Sequence, residues 1–359
     1  MKRNKAMDVM KGLGIVAVVI GHSESPVTQF IYLYHMPLFF FISGYFYQDK
    51  YSTNLIGLIR KRIGSLYKPY LIYSLIFLML HNVFFKFNIY NSKFIYGDKI
   101  IYPYSNSGFI KNFIQIILFA GREPMGGVFW FFTSLFFVNV IFGVISYLSL
   151  RVKDGKREYF RLIIILILFV VGNLLTKKGF TIPRFNNSLV MVLMYYIGYM
   201  YHRYENYINI ENIVIAIICF IGLVVNCFYG SIAVNMNSYL SPDFLIVNAL
   251  LGIYLNLYIS KYIENKKILL NQISYLGKNT VIIMALQFIS FKFIALLQIK
   301  IDLLPGYYLA KFPVIDGHGI WWILYSIAGV MIPIIIQFFV FDNLKKIFKN
   351  NKKVHLKVL

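Results

Sequence analysis

The chain has 359 residues, 59% of them hydrophobic and 18% aromatic, with only 14% charged and a mean hydropathy of +0.66. Soluble domains run to about half apolar and about a quarter charged, so this composition excludes an ordinary water-soluble fold and requires surface that faces lipid. The formal net charge of +22 would suggest nucleic acid in a soluble protein, but the basic residues here sit in short links between apolar runs, where they contact membrane lipids, and no nucleic-acid partner is expected.

Nearly uncharged runs such as Leu162 to Leu175, Ile213 to Phe228 and Trp321 to Val340 extend to about 20 residues, the length a helix needs to cross roughly 30 Å of hydrocarbon. They lack the alternating polar face of a barrel strand, so helices are predicted. In chain order the spans fall at 7–25, 31–48, 69–87, 127–149, 160–175, 188–202, 212–229, 243–260, 279–299 and 321–341. The first two form a hairpin that turns at Ser23 to Gln29. Residues 50–68 return as a basic, amphipathic piece on the headgroups. The longest external segment is 88–126, and its Phe109 to Ala120 is too short to cross, which suggests a re-entrant or interfacial helix. The fold expected is an all-α polytopic bundle of about ten transmembrane helices, a single domain over 1–359 with no separate soluble domain.

Residues 1–11, 50–68, 151–161, 203, 261–278 and 345–357 hold 25 of the 36 Lys and Arg. They occupy alternate links, so the positive-inside rule places both termini in the cytoplasm. Met1 to Lys11 lacks a small-residue cleavage site and its apolar run continues into His22, so it is read as retained. Cys219 and Cys227 lie in one apolar run and suggest packing, with neither a disulfide nor a metal site.

A charge at the centre of a membrane helix costs at least about 2.5 kcal/mol, so each ionisable group in a span asks for a reason. The first span carries Asp8, Lys11 and His22. Lys11 and His22 are eleven residues apart, which puts them within roughly 20° on one helix face and about 16 Å apart along it. Asp8 precedes Lys11 by three and shares that face. Gly12, Gly14 and Gly21 allow neighbours to approach. The tight outer turn brings His35 near the level of His22. Taken singly, each has a plainer reading: headgroup contacts for the histidines, an anchor for Lys11, packing or an aromatic belt for Trp130. Glu24, in the turn, reads as solvated, with orientation of His22 as its alternative.

The opening Met7-Asp8-Val9-Met10-Lys11-Gly12, the Gly21-His22 pair, and the run from Tyr34-His35-Met36-Pro37 to Ser43-Gly44-Tyr45 resemble the membrane acyltransferase-3 family, in its fucose 4-O-acetylase-like branch. Arg60-Lys61-Arg62 with Lys68-Pro69-Tyr70, Gly127-Val128-Phe129-Trp130-Phe131, Tyr195 to Tyr199 and Tyr275 to Thr280 are similar to its later landmarks. The resemblance implies an O-acyltransferase of the bacterial cytoplasmic membrane that moves an acyl group, usually acetyl from acetyl-CoA, to a hydroxyl of a cell-surface or lipid-linked saccharide, with no metal. It maps the family's basic-residue, ten-spacer, histidine motif onto Lys11 and His22, and a second histidine onto His35. Relatives often carry a histidine where this chain has Gln287, which hydrogen-bonds but takes no proton at neutral pH.

The chemistry is coherent on its own terms. Cytosolic acetyl-CoA carries phosphates, which suit Lys11, Arg60, Arg62 and Lys68 at the inner mouth. His22 then acts as general base or acyl carrier, and His35 binds the acceptor, stabilises the oxyanion or shares the proton. Trp130 and Gln287 are pocket candidates, and the loop 88–126 shapes the acceptor site. The rival readings are a polysaccharide or lipid exporter without covalent chemistry and an inactive membrane sensor of the same fold, to which Gln287 lends weight.

Overall fold

A computed structural model describes residues 4–97, 99–121, 123–180 and 185–342. The basic segment 345–357 used in the charge count lies outside the described residues, as do Lys2 and Arg3.

Helix α1 (Lys5–Gly21) starts where the Asn4 side chain accepts from Met7 N at 3.2 Å, a side-chain cap on a free backbone donor. The region predicted as one span at 31–48 is instead broken into α2 (Thr28–Tyr32) and α3 (His35–Tyr45), which has only 11 residues. Pro37 explains the restart. It lacks an N–H and fits only the first turn of a helix, so the chain begins a new one at His35. Next come α4 (Lys50–Thr53), α5 (Leu55–Arg62) and α6 (Lys68–Lys86). A π turn at Ile63–Tyr67 joins α5 to α6, so the basic piece and the third predicted span form one rod.

The external segment holds the hairpin β1 (Ile95–Tyr96) and β2 (Lys99–Ile100), with Ile95 opposite Ile100. It also holds α7 (Asn106–Ile117), the short helix expected there, capped by the Ser105 hydroxyl. A 3-10 turn at Pro124–Phe129 leads into α8 (Trp130–Ser149). There follow α9 (Arg157–Lys177), α10 (Phe185–Tyr204) and α11 (Ile213–Asn226). The small hairpin β3 (Ile232–Ala233) and β4 (Ser238–Tyr239) precedes α12 (Pro242–Glu264). The amphipathic α13 (Lys267–Lys278) was not anticipated; α14 (Thr280–Ile301) and α15 (Trp321–Ile336) were.

Among the described residues six helices are long and apolar enough to cross a membrane, in place of the ten expected spans. The other four predicted segments, α1, α2 with α3, α10 and α11, form helices at the expected places but are shorter or more polar. The outward faces fit a lipid surround. On α9, Ile163, Leu166, Ile167, Val170 and Leu174 are exposed, while Arg161, Ile165, Phe169 and Gly172 face inward at helical spacing. Water would not tolerate so large an apolar surface, so this is a multi-pass helical membrane protein.

The core forms around α1, which packs against α3, α12, α13, α14 and α15. Small residues set the closest crossings. A Cβ on Gly277 of α13 would sit 1.8 Å from the Asp8 carbonyl oxygen, and one on Gly12 would sit 2.2 Å from that of Ile273. Between α3 and α10 the contact is reciprocal: a Cβ added to Gly44 would lie 1.8 Å from the Tyr195 carbonyl oxygen, and one added to Gly198 would lie 1.9 Å from that of Phe41.

Candidate active site

A cavity of about 1150 Å³ runs through this packing and is shared by Lys11, His22 and His35. At one end its walls carry Lys11, Phe46, Gln48, Lys61 and Arg62. At the other they carry Tyr96, Lys99, Glu123 and residues 232–236, with Phe312 and Pro313. The histidines lie on the stretch between.

His22 caps α1, its backbone N–H reaching Val18 O and Val19 O at 3.2 Å each. Ser23 fixes the same corner, its hydroxyl bonding Ile20 O at 2.8 Å and the Ser326 hydroxyl on α15 at 2.9 Å. The His22 Nδ1 meets Gln287 Oε1 at 3.2 Å, while Gln287 Nε2 donates to Met284 O at 3.3 Å. A carbonyl only accepts, so the amide nitrogen must face Met284 and its oxygen must face the ring. His22 therefore donates from Nδ1 and keeps the Nε2 lone pair free. The Phe288 ring stands 5.2 Å from the imidazole, edge on.

His35 is buried and its Nδ1 donates to Ile31 O at 3.0 Å. The neutral ring again has a free Nε2. Tyr32 lies between the two histidines, its ring 5.0 Å from His35 and 6.4 Å from His22.

At the basic end, Lys11 Nζ sits 4.3 Å over the Phe46 ring and Lys61 Nζ 5.2 Å over that of Tyr51. Three cations facing one cavity suit the phosphates of a nucleotide-bearing donor. At the opposite end the Tyr96 hydroxyl donates to Ala310 O at 2.9 Å and accepts from Asn91 N at 3.0 Å. Burial pushes this phenol up to about 12 against the smaller pull of the Asn91 N–H, so it stays neutral at physiological pH.

The structure brings together Lys11, His22, His35, Arg62 and Trp130 on the cavity wall, with Gln287 directly behind His22. It does not bring the rest. Arg60 and Lys68 are exposed and off the cavity; one step along α5, Lys61 is exposed too but lines the cavity beside Arg62. Asp8 is buried but off the cavity, at the crossing where its carbonyl abuts Gly277. Glu24 is exposed in the outer turn with φ of 55°, and the group on His22 Nδ1 is Gln287. Sequence reasoning missed Lys61, Tyr96, and a buried pair in which His81 Nδ1 meets Glu123 Oε2 at 2.9 Å. A signal for the pair existed, since His81 interrupts the apolar run Leu78-Met79-Leu80. Among the described residues no cluster of three His, Cys, Asp or Glu is placed to hold a metal ion.

A family model described as an acyltransferase domain matches residues 4–341. The chain belongs to the acyltransferase-3 family. No curated protein and no solved structure matches it. Membership covers nearly the whole chain, so the cavity and its histidines lie within the acyltransferase domain itself.

Proposed function

We propose that this acyltransferase moves acetyl from cytosolic acetyl-CoA to a hydroxyl of a cell-surface or lipid-linked saccharide, in the bacterial cytoplasmic membrane, as the fucose 4-O-acetylase-like branch would. The observation that carries this reading is one cavity lined by Lys11, Lys61 and Arg62, by the two histidines, and by an uncharged phenol with Glu123 and Lys99. A donor and an acceptor from opposite sides of the membrane meet at His22 without either crossing. Lys11, Lys61 and Arg62 fit the donor's phosphates, and about 16 Å of helix rise from Lys11 to His22 matches the reach of an extended pantetheine arm.

In this reading His22 is the general base. Its Nε2 takes the acceptor's hydroxyl proton while the oxygen attacks the thioester carbonyl. The tetrahedral adduct expels the CoA thiolate, which recovers the proton from the imidazolium and leaves as free thiol beside the new ester. The Gln287 oxygen stabilises the Nδ1–H of that imidazolium. His35, whose Nδ1 is committed to Ile31 O, offers a lone pair and so positions the acceptor hydroxyl; it offers no donor to an oxyanion. The partnership of Gln287 with His22 also supports catalysis over an inactive sensor, because the residue that departs from the family pattern retains a task at the reacting ring.

The test is mass analysis of surface glycans from cells with and without the gene and with His22→Ala at matched expression. Acetyl groups present in wild type and reduced at least about 100-fold in rate of appearance in the variant are expected for loss of a general base. Undiminished acetylation in the His22→Ala cells overturns the assigned role, and transport of unmodified glycan in vesicles lacking acetyl-CoA would favour an exporter.

A further inference from the structure

We propose that Glu123, held by His81, is the binding site for the acceptor's hydroxyl groups, an inference that rests on the acyltransferase reading above. Glu123 is only 4% exposed and His81 1%, yet Glu123 lines the same cavity as Tyr96, Gly97, Lys99 and Ile101. One of its oxygens, Oε2, meets His81 Nδ1 at 2.9 Å. The other, Oε1, is buried with no hydrogen-bond partner among the described residues. The Tyr104 hydroxyl stands beside the carboxylate, and burial followed by that charge raises the phenol, but no hydrogen bond of ordinary length reaches Oε1. A carboxylate oxygen so placed is costly, and the cost is relieved when a ligand supplies a donor.

The imidazole is fixed on every side. Its Nε2 faces Tyr102 O at 3.0 Å, a pure acceptor, so Nε2 carries a hydrogen and a single proton is shared between Nδ1 and Glu123. The Tyr104 ring stacks on it at 3.5 Å, and Asn82 grips the Tyr104 backbone at both N and O, 2.7 and 2.9 Å. Glu123 is therefore aimed and held. Its neighbours lead to the reacting ring: a Cβ on Gly127 would lie 3.5 Å from the Phe288 ring, which stands 5.2 Å from His22. A carboxylate on the wall of the cavity that also holds His22, otherwise lined mainly by aromatic and aliphatic groups, is the recognition chemistry of a polyhydroxylated ligand. Aromatic rings cover sugar faces while the carboxylate takes the hydroxyls.

The experiment uses membranes from cells lacking the chromosomal gene and expressing the full chain, wild type or Glu123→Gln, supplied with acetyl-CoA labelled in its acetyl group, the membrane's own saccharides serving as acceptor. Glutamine is the same shape and donates from its amide nitrogen to His81 Nδ1, so a purely structural clamp survives it, while the negative charge that strengthens a hydroxyl's hydrogen bond is removed. The expected result is a tenfold or greater loss of label in the saccharide fraction, with acetyl-CoA affinity by titration of the purified protein within twofold of wild type and an unchanged thermal midpoint. Transfer retained by Glu123→Gln overturns the proposal, and so does transfer lost together with acetyl-CoA affinity or thermal stability. Absence of label in the saccharide fraction of wild-type membranes instead overturns the acyltransferase reading itself, so the two failures are distinguishable.

Discussion

At the scale of single residues the most informative contact is Gln287 against His22. A glutamine where relatives often place a histidine cannot exchange protons, but its amide, anchored on Met284 O, has an oxygen left for one purpose, to accept from Nδ1. Gln287→Leu keeps the volume and removes that acceptor. The ring then loses its tautomeric preference, and the charge developing on it loses a hydrogen bond. A hydrogen bond to a charged group contributes about 1.5–3 kcal/mol, so kcat for acetyl transfer should fall about 10- to 100-fold. The KM for acetyl-CoA should move less than twofold, because the donor is held elsewhere. Steady-state kinetics on the purified variant measures both, and an unchanged kcat would remove Gln287 from the mechanism. Lys11, His22 and His35 were legible in the sequence because helical spacing alone places the first two on one face. Glu123 and His81 were not, since they are separated by 42 positions, and the short helix legible between them does not reveal that the segment folds back on α6. Lys61 was missed for a smaller reason: the phase of α5 decides which of three consecutive basic residues border the cavity, here Lys61 and Arg62, and the sequence does not set that phase.

At the scale of helices, close approach is what holds α1, the carrier of His22, and α3, the carrier of His35, in a fixed relation. Lipid supplies no hydrophobic drive between helices, so association depends on packing through small residues. Gly44 and Gly198 face each other's helix backbones at under 2 Å for an added Cβ, and a backbone carbonyl cannot rotate away as a side-chain tip can. Gly198→Ala should therefore cost more than the roughly 1–3 kcal/mol typical of overpacking. The expected outcome is a lower thermal midpoint and lower yield of the purified protein, whereas Gly155→Ala, in a loop with open space around it, leaves both unchanged. Equal midpoints for the two variants would show that the α3–α10 crossing is not tightly set. Long apolar runs made the places of most helices legible. The break before His35 and the helix α13 were harder to read, because a proline three residues into a helix looks like a span interior, and α13 is too polar to stand out as a span.

At the scale of the whole molecule, the two ends of the cavity bear on topology. The lining includes Tyr96, Lys99, Glu123, Pro124, residues 232–236 and Phe312, from three links predicted to be external, and Lys11, Lys61, Arg62 and Thr280, at or next to links predicted to be internal. The ten crossings with cytoplasmic termini expected from the sequence would produce that sorting, since every external link would then fall between an odd-numbered span and the next. Basic residues follow the same division, and moving them across would oppose the positive-inside preference. The prediction concerns two exposed positions on opposite sides, Lys153 between α8 and α9 and Ser238 on β4. In a chain with Cys219 and Cys227 replaced by serine, Ser238→Cys should react with a membrane-impermeant maleimide added to intact cells. Lys153→Cys should react only after the cells are opened. Labelling of both from outside, or of neither before opening, would require an even number of crossings between them in place of the three expected, and the opposite-sided arrangement would fail.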